Sequence, residues 1–301
     1  MSRAPIELTV PESVPPLPVA PTIEAWRAMT PQQRESFLVS AIEASSHPLR
    51  MMGEGRPHKK AKTRALDMLG LHFRAMGRVV YLAEEMIVAY PGEPTFTPDL
   101  LAVVGVEEPE DDERLAWVVA DEKRGLDFVL EVVHMGSREK DLVENVQRYA
   151  RLGIPEYFVY DRGRQQIHGF RLSVEGEGRY QRIVPQLGRY SSTVLGLDLA
   201  LSGGRLRFFQ GMAELFDTAE LLSRLGKMVE ELEARAEEAS KQAEQAVLST
   251  RETILALLGA RGISSPEEVV ARVKSCDDLS VLQRWLLRAA TAATASEVID
   301  S

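Results

Sequence analysis

The chain has 301 residues, 45% of them apolar and 27% charged, which places it among soluble globular proteins long enough to bury a sizeable core. Its net charge is −9, and the part from Glu214 onward, with 10 basic and 16 acidic residues, carries most of it, so a broadly basic nucleic-acid-coating protein is excluded and any DNA-binding surface must be local. The single cysteine, Cys276, excludes an internal disulfide framework and a cysteine-based zinc cage and fits a reducing compartment. With no apolar signal core and no apolar run of about 18 residues, a cytoplasmic protein without a membrane anchor is expected.

Residues 1–22 hold six prolines and read as a disordered leader, since proline neither donates to a ladder nor continues a helix. Thr22 to Ser45 reads as helical, with Thr30-Pro31 as a start signal inside it. After the turn-rich segment Met52–His58, a helix is expected from Lys59 to Met76, with Ala65, Met68, Leu69, His72 and Phe73 at helical spacing. Its first turns carry Lys59, Lys60, Lys62 and Arg64, the one dense basic cluster of the chain. They are either a phosphate contact or a solvated face.

From Gly77 the period changes to that of strands. Arg78–Ala83, Met86–Tyr90, Pro98–Val106, Leu115–Ala120 and Asp127–Val133 are the expected strands, and residues 107–114 are an acidic loop without a metal role. Ser137–Leu152 is helical in period and stops at Gly153; Tyr157–Asp161 is the next strand. Strand, helix, strand implies a crossover and hence a parallel pair. Further strands are expected at Gln166–Leu172, Tyr180–Val184 and Leu206–Phe209, so the domain is α/β around a mixed sheet with flanking helices.

The tail changes class. Leu222, Leu225, Val229, Leu232, Ala236, Ala239, Ala243 and Ala246 alternate three and four apart, a heptad seam flanked by charge. Such a seam pairs with a second copy, giving a homo-oligomer, or packs back on its own domain. Residues 251–301 read as a small helical tail, with Ser265-Pro266-Glu267-Glu268 as a capping box and Asp278 as the cap of the helix that follows. The expected division is therefore a leader (1–22), an α/β domain (23–213), a coiled-coil helix (214–250) and the helical tail (251–301).

The chemistry is expected at Phe128–Val133, an apolar run with one acid, Glu131, set into it. Burying a carboxylate without a partner is costly. Asp99, at the mouth of another apolar run, is the obvious neighbour. Two carboxylates on adjacent strands give hard oxygen donors suited to Mg²⁺ or Mn²⁺. A metal so held polarises a phosphodiester and activates water. Glu85 is the candidate third acid, with Glu84 as the fallback.

The order Pro98-Asp99, Glu131-Val132-Val133, Asp141 through Tyr149, and then Gly153-Ile154-Pro155-Glu156-Tyr157-Phe158-Val159-Tyr160-Asp161 resembles the restriction-endonuclease family often called Uma-two, within the PD-(D/E)XK nuclease superfamily. The resemblance runs over about residues 50–212, with Leu195–Leu199 and Leu206–Phe208 near its end, and is most specific from Tyr149 to Asp161. It implies a restriction-endonuclease-like mixed-sheet core and metal-dependent DNA cleavage, with Glu85, Asp99 and Glu131 as metal ligands. The sequence departs from the pattern at three places. The superfamily lysine falls on Val133, the family's helix lysine on Asn145, and the usual serine after the strand acid on His134. Asparagine supplies no positive charge. Lys140 and Arg148 are then the candidate phosphate cations, His134 a third ligand, a proton shuttle or a loop residue, and His58 a site neighbour or a helix-start residue. The expected function is a metal-dependent DNA endonuclease; the alternative is a weakened nuclease fold acting as a DNA-binding or self-associating module.

Overall fold

A computed structural model describes residues 14–47, 55–108, 114–133, 138–173 and 178–300. The chain divides into two compact units, the first ending at Glu220 and the second comprising Leu221–Ser301.

The first unit opens with α1 (Ile23–Ala28) and α2 (Pro31–Ser45), where the sequence reads as one helix. The break lies where Pro31 disfavours helical backbone at the residue before it. Thr30 turns the break into a start: its Oγ1 accepts from Gln33 N–H, and the Gln33 side chain accepts from Thr30 N–H at 2.8 Å. The end of the proline-rich stretch is packed. Ala20 N–H donates to Glu93 O and Thr95 N–H to Pro18 O, both at 2.8 Å. α3 spans Arg56–Ala75, beginning three residues before the expected start.

The strands follow as β1 (Val80–Ala83), β2 (Ile87–Ala89), β3 (Leu100–Val104), β4 (Ala116–Val118), a short helix α4 (Val119–Glu122), and β5 (Phe128–Val133). A π-helical turn, Lys140–Glu144, runs into α5 (Asn145–Arg151). Then come β6 (Glu156–Asp161), β7 (Gln166–Leu172), β8 (Tyr180–Arg182), β9 (Tyr190–Ser192), β10 (Leu197–Ser202), β11 (Arg205–Gln210) and β12 (Ala213–Glu214). The main sheet has the order β1-β3-β5-β6-β7-β8. Its β5–β6 pair is parallel and the other pairs antiparallel, so it is the mixed sheet the crossover implied. A second sheet, β12-β11-β10-β9, went largely unread in the sequence: its strands are short and its β10–β11 hairpin turns on Gly203-Gly204, both at positive φ.

Both faces of the main sheet are covered, which is why β5 is a continuous apolar run. One face packs Leu100, Phe128, Leu130 and Phe158 against Ala65, Met68 and Leu69 of α3 and Leu199 and Phe208 of the second sheet. The other packs Leu101, Val129, Val133, Tyr157 and Val159 against Trp117 and Tyr149. Strand alternation puts Glu131 on this second face, between Val129 and Val133.

The second unit begins within α6 (Thr218–Ala260) and continues through α7 (Glu267–Ser275), α8 (Leu279–Ala289) and α9 (Ala295–Ile299). Ile254, Leu258, Val273, Leu282, Trp285 and Val298 form its core. Asp278 caps α8 as read from the sequence, accepting from Ser280 N–H (2.8 Å) and Val281 N–H (3.2 Å). The expected capping box at Ser265 does not form: Pro266 itself is the extended N-cap, so α7 starts one residue later and without a side-chain cap. Along α6, Leu222, Leu225, Val229 and Leu232 are 52–64% exposed. Among the described residues no helix is long and apolar enough to cross a membrane.

Candidate functional site

β3 and β5 run antiparallel with Leu100 opposite Leu130, so Asp99 and Glu131 stand side by side at the next step of the ladder. Asp99 N–H donates to Glu131 Oε2 at 3.3 Å, and Val132 N–H donates to Asp99 Oδ2 at 2.7 Å. The two acids singled out in the sequence therefore meet, Glu131 holding the backbone of Asp99 and Asp99 that of Val132 beside Glu131. Tyr149, on α5, donates its hydroxyl to Glu131 Oε1 at 2.8 Å.

Their environments push these carboxyls in opposite directions. Burial drives the pKa of Glu131 well up, the negative charges of Asp99 and Asp141 add to the rise, and the Lys140 charge and the Tyr149 bond oppose it. For Asp99 burial also acts upward, but the His58 hydrogen bond, the charges of Lys62 and His58 and the Val132 N–H together hold it below the usual range.

The cation of this site comes from α3. His58, Lys62, Ala65 and Leu69 lie four, three and four residues apart, on the helix face turned to the sheet. Lys62 is only 2% exposed; its ammonium lies 3.2 Å from Asp99 Oδ1 and is ion-paired with Glu85. His58 Nε2 is 3.5 Å from the same Asp99 oxygen. The basic cluster thus splits by function: Lys59 and Lys60 are exposed, Lys62 enters the site, and Arg64 pairs with Asp217 at 3.0 Å. The sequence reading takes Lys62 together with Lys59, Lys60 and Arg64, as a phosphate contact or a solvated face, and does not single it out. The signal was its position on the apolar face, four residues after His58 and three before Ala65.

Glu85 follows β1 in a left-handed backbone conformation, φ 53°, fixed by its N–H bond to Pro98 O at 3.2 Å. A non-glycine residue held there is strained, and the strain is maintained by the surrounding contacts. This turn aims Glu85 at Lys62, so the third acid is joined to Asp99 through an ammonium. Glu84, beside it, accepts from Thr63 Oγ1 at 3.4 Å, and burial with the Glu85 charge raises its pKa. Among the described residues no three His, Cys, Asp or Glu side chains gather so as to hold a metal ion by themselves.

The remaining expected residues separate. Lys140 is exposed on the π-helical turn, and its charge is felt at Glu131. Arg148 is turned to Pro94 O and stacks over Phe96 at 4.5 Å, so the structure does not bring it to the acids. Asn145 Nδ2 donates to Asp141 Oδ1 at 3.0 Å, and Val133 is packed in the core. Both places where a lysine would stand are thus committed to local packing. His134 lies outside the described residues.

Residues 46–202, just over half the chain, match the model of the Uma2 family, described as "Putative restriction endonuclease". No curated protein matches the chain. Among solved structures, a crystal structure of a "putative nuclease belonging to DUF820" from Anabaena variabilis is similar at 11% identity over 47% of this chain and 75% of that one, with a TM-score of 0.37.

Proposed function

The chain belongs to the Uma2 restriction-endonuclease family, and on that premise we propose that it is a divalent-metal-dependent DNA endonuclease whose centre is the Asp99–Glu131 pair. The observation that carries the reading is the meeting of these two acids at the adjoining ends of β3 and β5, with Glu131 buried and pressed by the charges of Asp99 and Asp141. Such a cluster is a site where a divalent cation is favoured. The donor chemistry fits Mg²⁺ or Mn²⁺: such ions take one or two carboxylates and complete their shell with water and substrate phosphate. Asp99 and Glu131 would hold the ion, with Glu85 as the acid at the rim. When bound, the metal would polarise the phosphodiester and acidify an attacking water.

The chain's own groups have distinct tasks in this reading. Tyr149 and the Asp99 N–H fix the Glu131 carboxylate, and Val132 N–H fixes Asp99. Lys140, exposed near the acids, meets the incoming phosphate. The exposed Leu222–Leu232 stripe of α6 supports a second element of the proposal, self-association of the chain through this helix.

The test is cleavage of supercoiled plasmid with Mg²⁺ or Mn²⁺ by the wild type and by Glu131→Gln. Metal-dependent nicking that is lost in the variant is expected. Nicking that survives overturns the assignment of the centre. Saturable metal binding without cleavage points instead to a nuclease fold retained as a binding module.

A further inference from the structure

We propose that Lys62 is a resident cation of this site, its ammonium filling the position between Glu85 and Asp99, so that the centre takes one divalent ion and not two. The inference rests on the metal-dependent reading above and specifies its stoichiometry.

Three observations converge on Lys62. It is almost fully buried, and a buried ammonium persists only when it is paired. It is answered by two carboxylates at once, Asp99 at 3.2 Å and Glu85. Glu85 is brought to it by a backbone conformation that a residue with a side chain rarely adopts, which a merely incidental surface pair would not maintain.

Charge balance then fixes what is left. Glu85, Asp99 and Glu131 together carry up to three negative charges when ionised. Lys62 neutralises one and occupies the space between Glu85 and Asp99. The Asp99–Glu131 side remains, with two hard donors and no ammonium between them. Lys62 is a positioning residue, acting on the substrate through Asp99.

The experiment is calorimetric titration of the full chain with Mn²⁺. One ion per wild-type chain is expected, with one again for Lys62→Arg and a second for Lys62→Gln. Because Lys62→Gln leaves buried acids unanswered, the double variant Lys62→Gln with Glu85→Gln is titrated beside it. That variant removes the pair together, and it should bind one ion at least fivefold more tightly than wild type. Two ions in the wild type, or unchanged stoichiometry and affinity in both neutral variants, overturn the role of Lys62 while leaving the metal reading intact. No saturable Mn²⁺ in the wild type overturns the metal reading itself, and the role of Lys62 with it.

Discussion

Tyr149 donates its hydroxyl to Glu131 at 2.8 Å, with both side chains buried under the crossover helix α5. The bond ties the helix to the strand that carries the candidate ligand. Removing the donor leaves a buried carboxyl oxygen without this partner. Tyr149→Phe is expected to lower unfolding free energy by about 1–2 kcal/mol. Urea unfolding at unchanged m-value checks this, and equal midpoints for the two proteins would refute it.

Glu156, from the most family-specific stretch of the sequence, is fully buried and has a structural task. It accepts from Arg171 Nε (2.9 Å), Thr193 N–H (2.9 Å) and Thr193 Oγ1 (2.8 Å), and from Ser192 Oγ, clamping the main sheet to the loop between β9 and β10. Glu156→Gln turns one acceptor oxygen into a donor facing donors. A loss of about 2–3 kcal/mol is expected. Mn²⁺ affinity of the folded variant should match wild type, because Glu156 lies outside the acid cluster.

The parts legible in the sequence share one property: a period or an unanswered charge. Glu131 stood out as a carboxylate in an apolar run, and Asp99 as its one neighbour at a strand mouth; the ladder brings them together as that logic requires. The crossover between β5 and β6 followed from strand, helix, strand. Lys62 was read only as one member of a basic cluster, because composition cannot distinguish it from Lys59 and Lys60; the phase of α3 does. Arg148 was misplaced for the converse reason. It is on the crossover helix near Tyr149, but aromatic stacking on Phe96 and the Pro94 carbonyl hold it away from the acids. The second sheet escaped because strands of two to six residues with glycine turns carry little periodic signal.

Arg148 and Lys140 can be separated by one pair of variants. Arg148→Ala removes a cation–π contact and a carbonyl bond, at a cost of about 1 kcal/mol in stability. Its cleavage rate should stay within about threefold of wild type, since no phosphate contact is lost. Lys140→Ala should leave stability unchanged and reduce kcat/KM by about tenfold, through the lost local positive potential. The opposite pattern in plasmid-nicking kinetics would return the phosphate role to Arg148.

The stripe Leu222, Leu225, Val229 and Leu232 gives α6 an apolar face open to solvent. Light scattering of the full chain is expected to give a mass above that of one chain. Leu225→Glu with Leu232→Glu, which puts charge into the seam, should give the single-chain mass. A wild-type protein that is already monomeric at tens of micromolar ends the self-association proposal.

Glu220 sets an acid limit to the stability of the first unit. Its carboxylate takes two bonds from Arg207, Nη1 at 2.7 Å and Nη2 at 2.5 Å, and one from Asp217 N–H at 3.3 Å. The Arg207 bonds are the main reason its pKa falls from 4.5 to about 2, against a smaller upward pull from burial. In the unfolded chain the group binds a proton near its ordinary pKa, while in the folded chain it stays ionised until about pH 2. The stabilisation is therefore complete above pH 4.5 and is lost as pH falls from there through about 2. At pH 7 Glu220→Gln should cost about 1–2 kcal/mol, a figure reduced for the solvent that reaches this partly open pair. Between pH 4.5 and 2 the curves of wild type and variant should converge, because protonation makes the native glutamate as neutral as the glutamine that replaces it. Thermal melts of the two proteins from pH 7 down to the lowest pH at which both still fold measure this. A gap that stays constant across the range would mean that the carboxylate charge at Arg207 contributes nothing to folding.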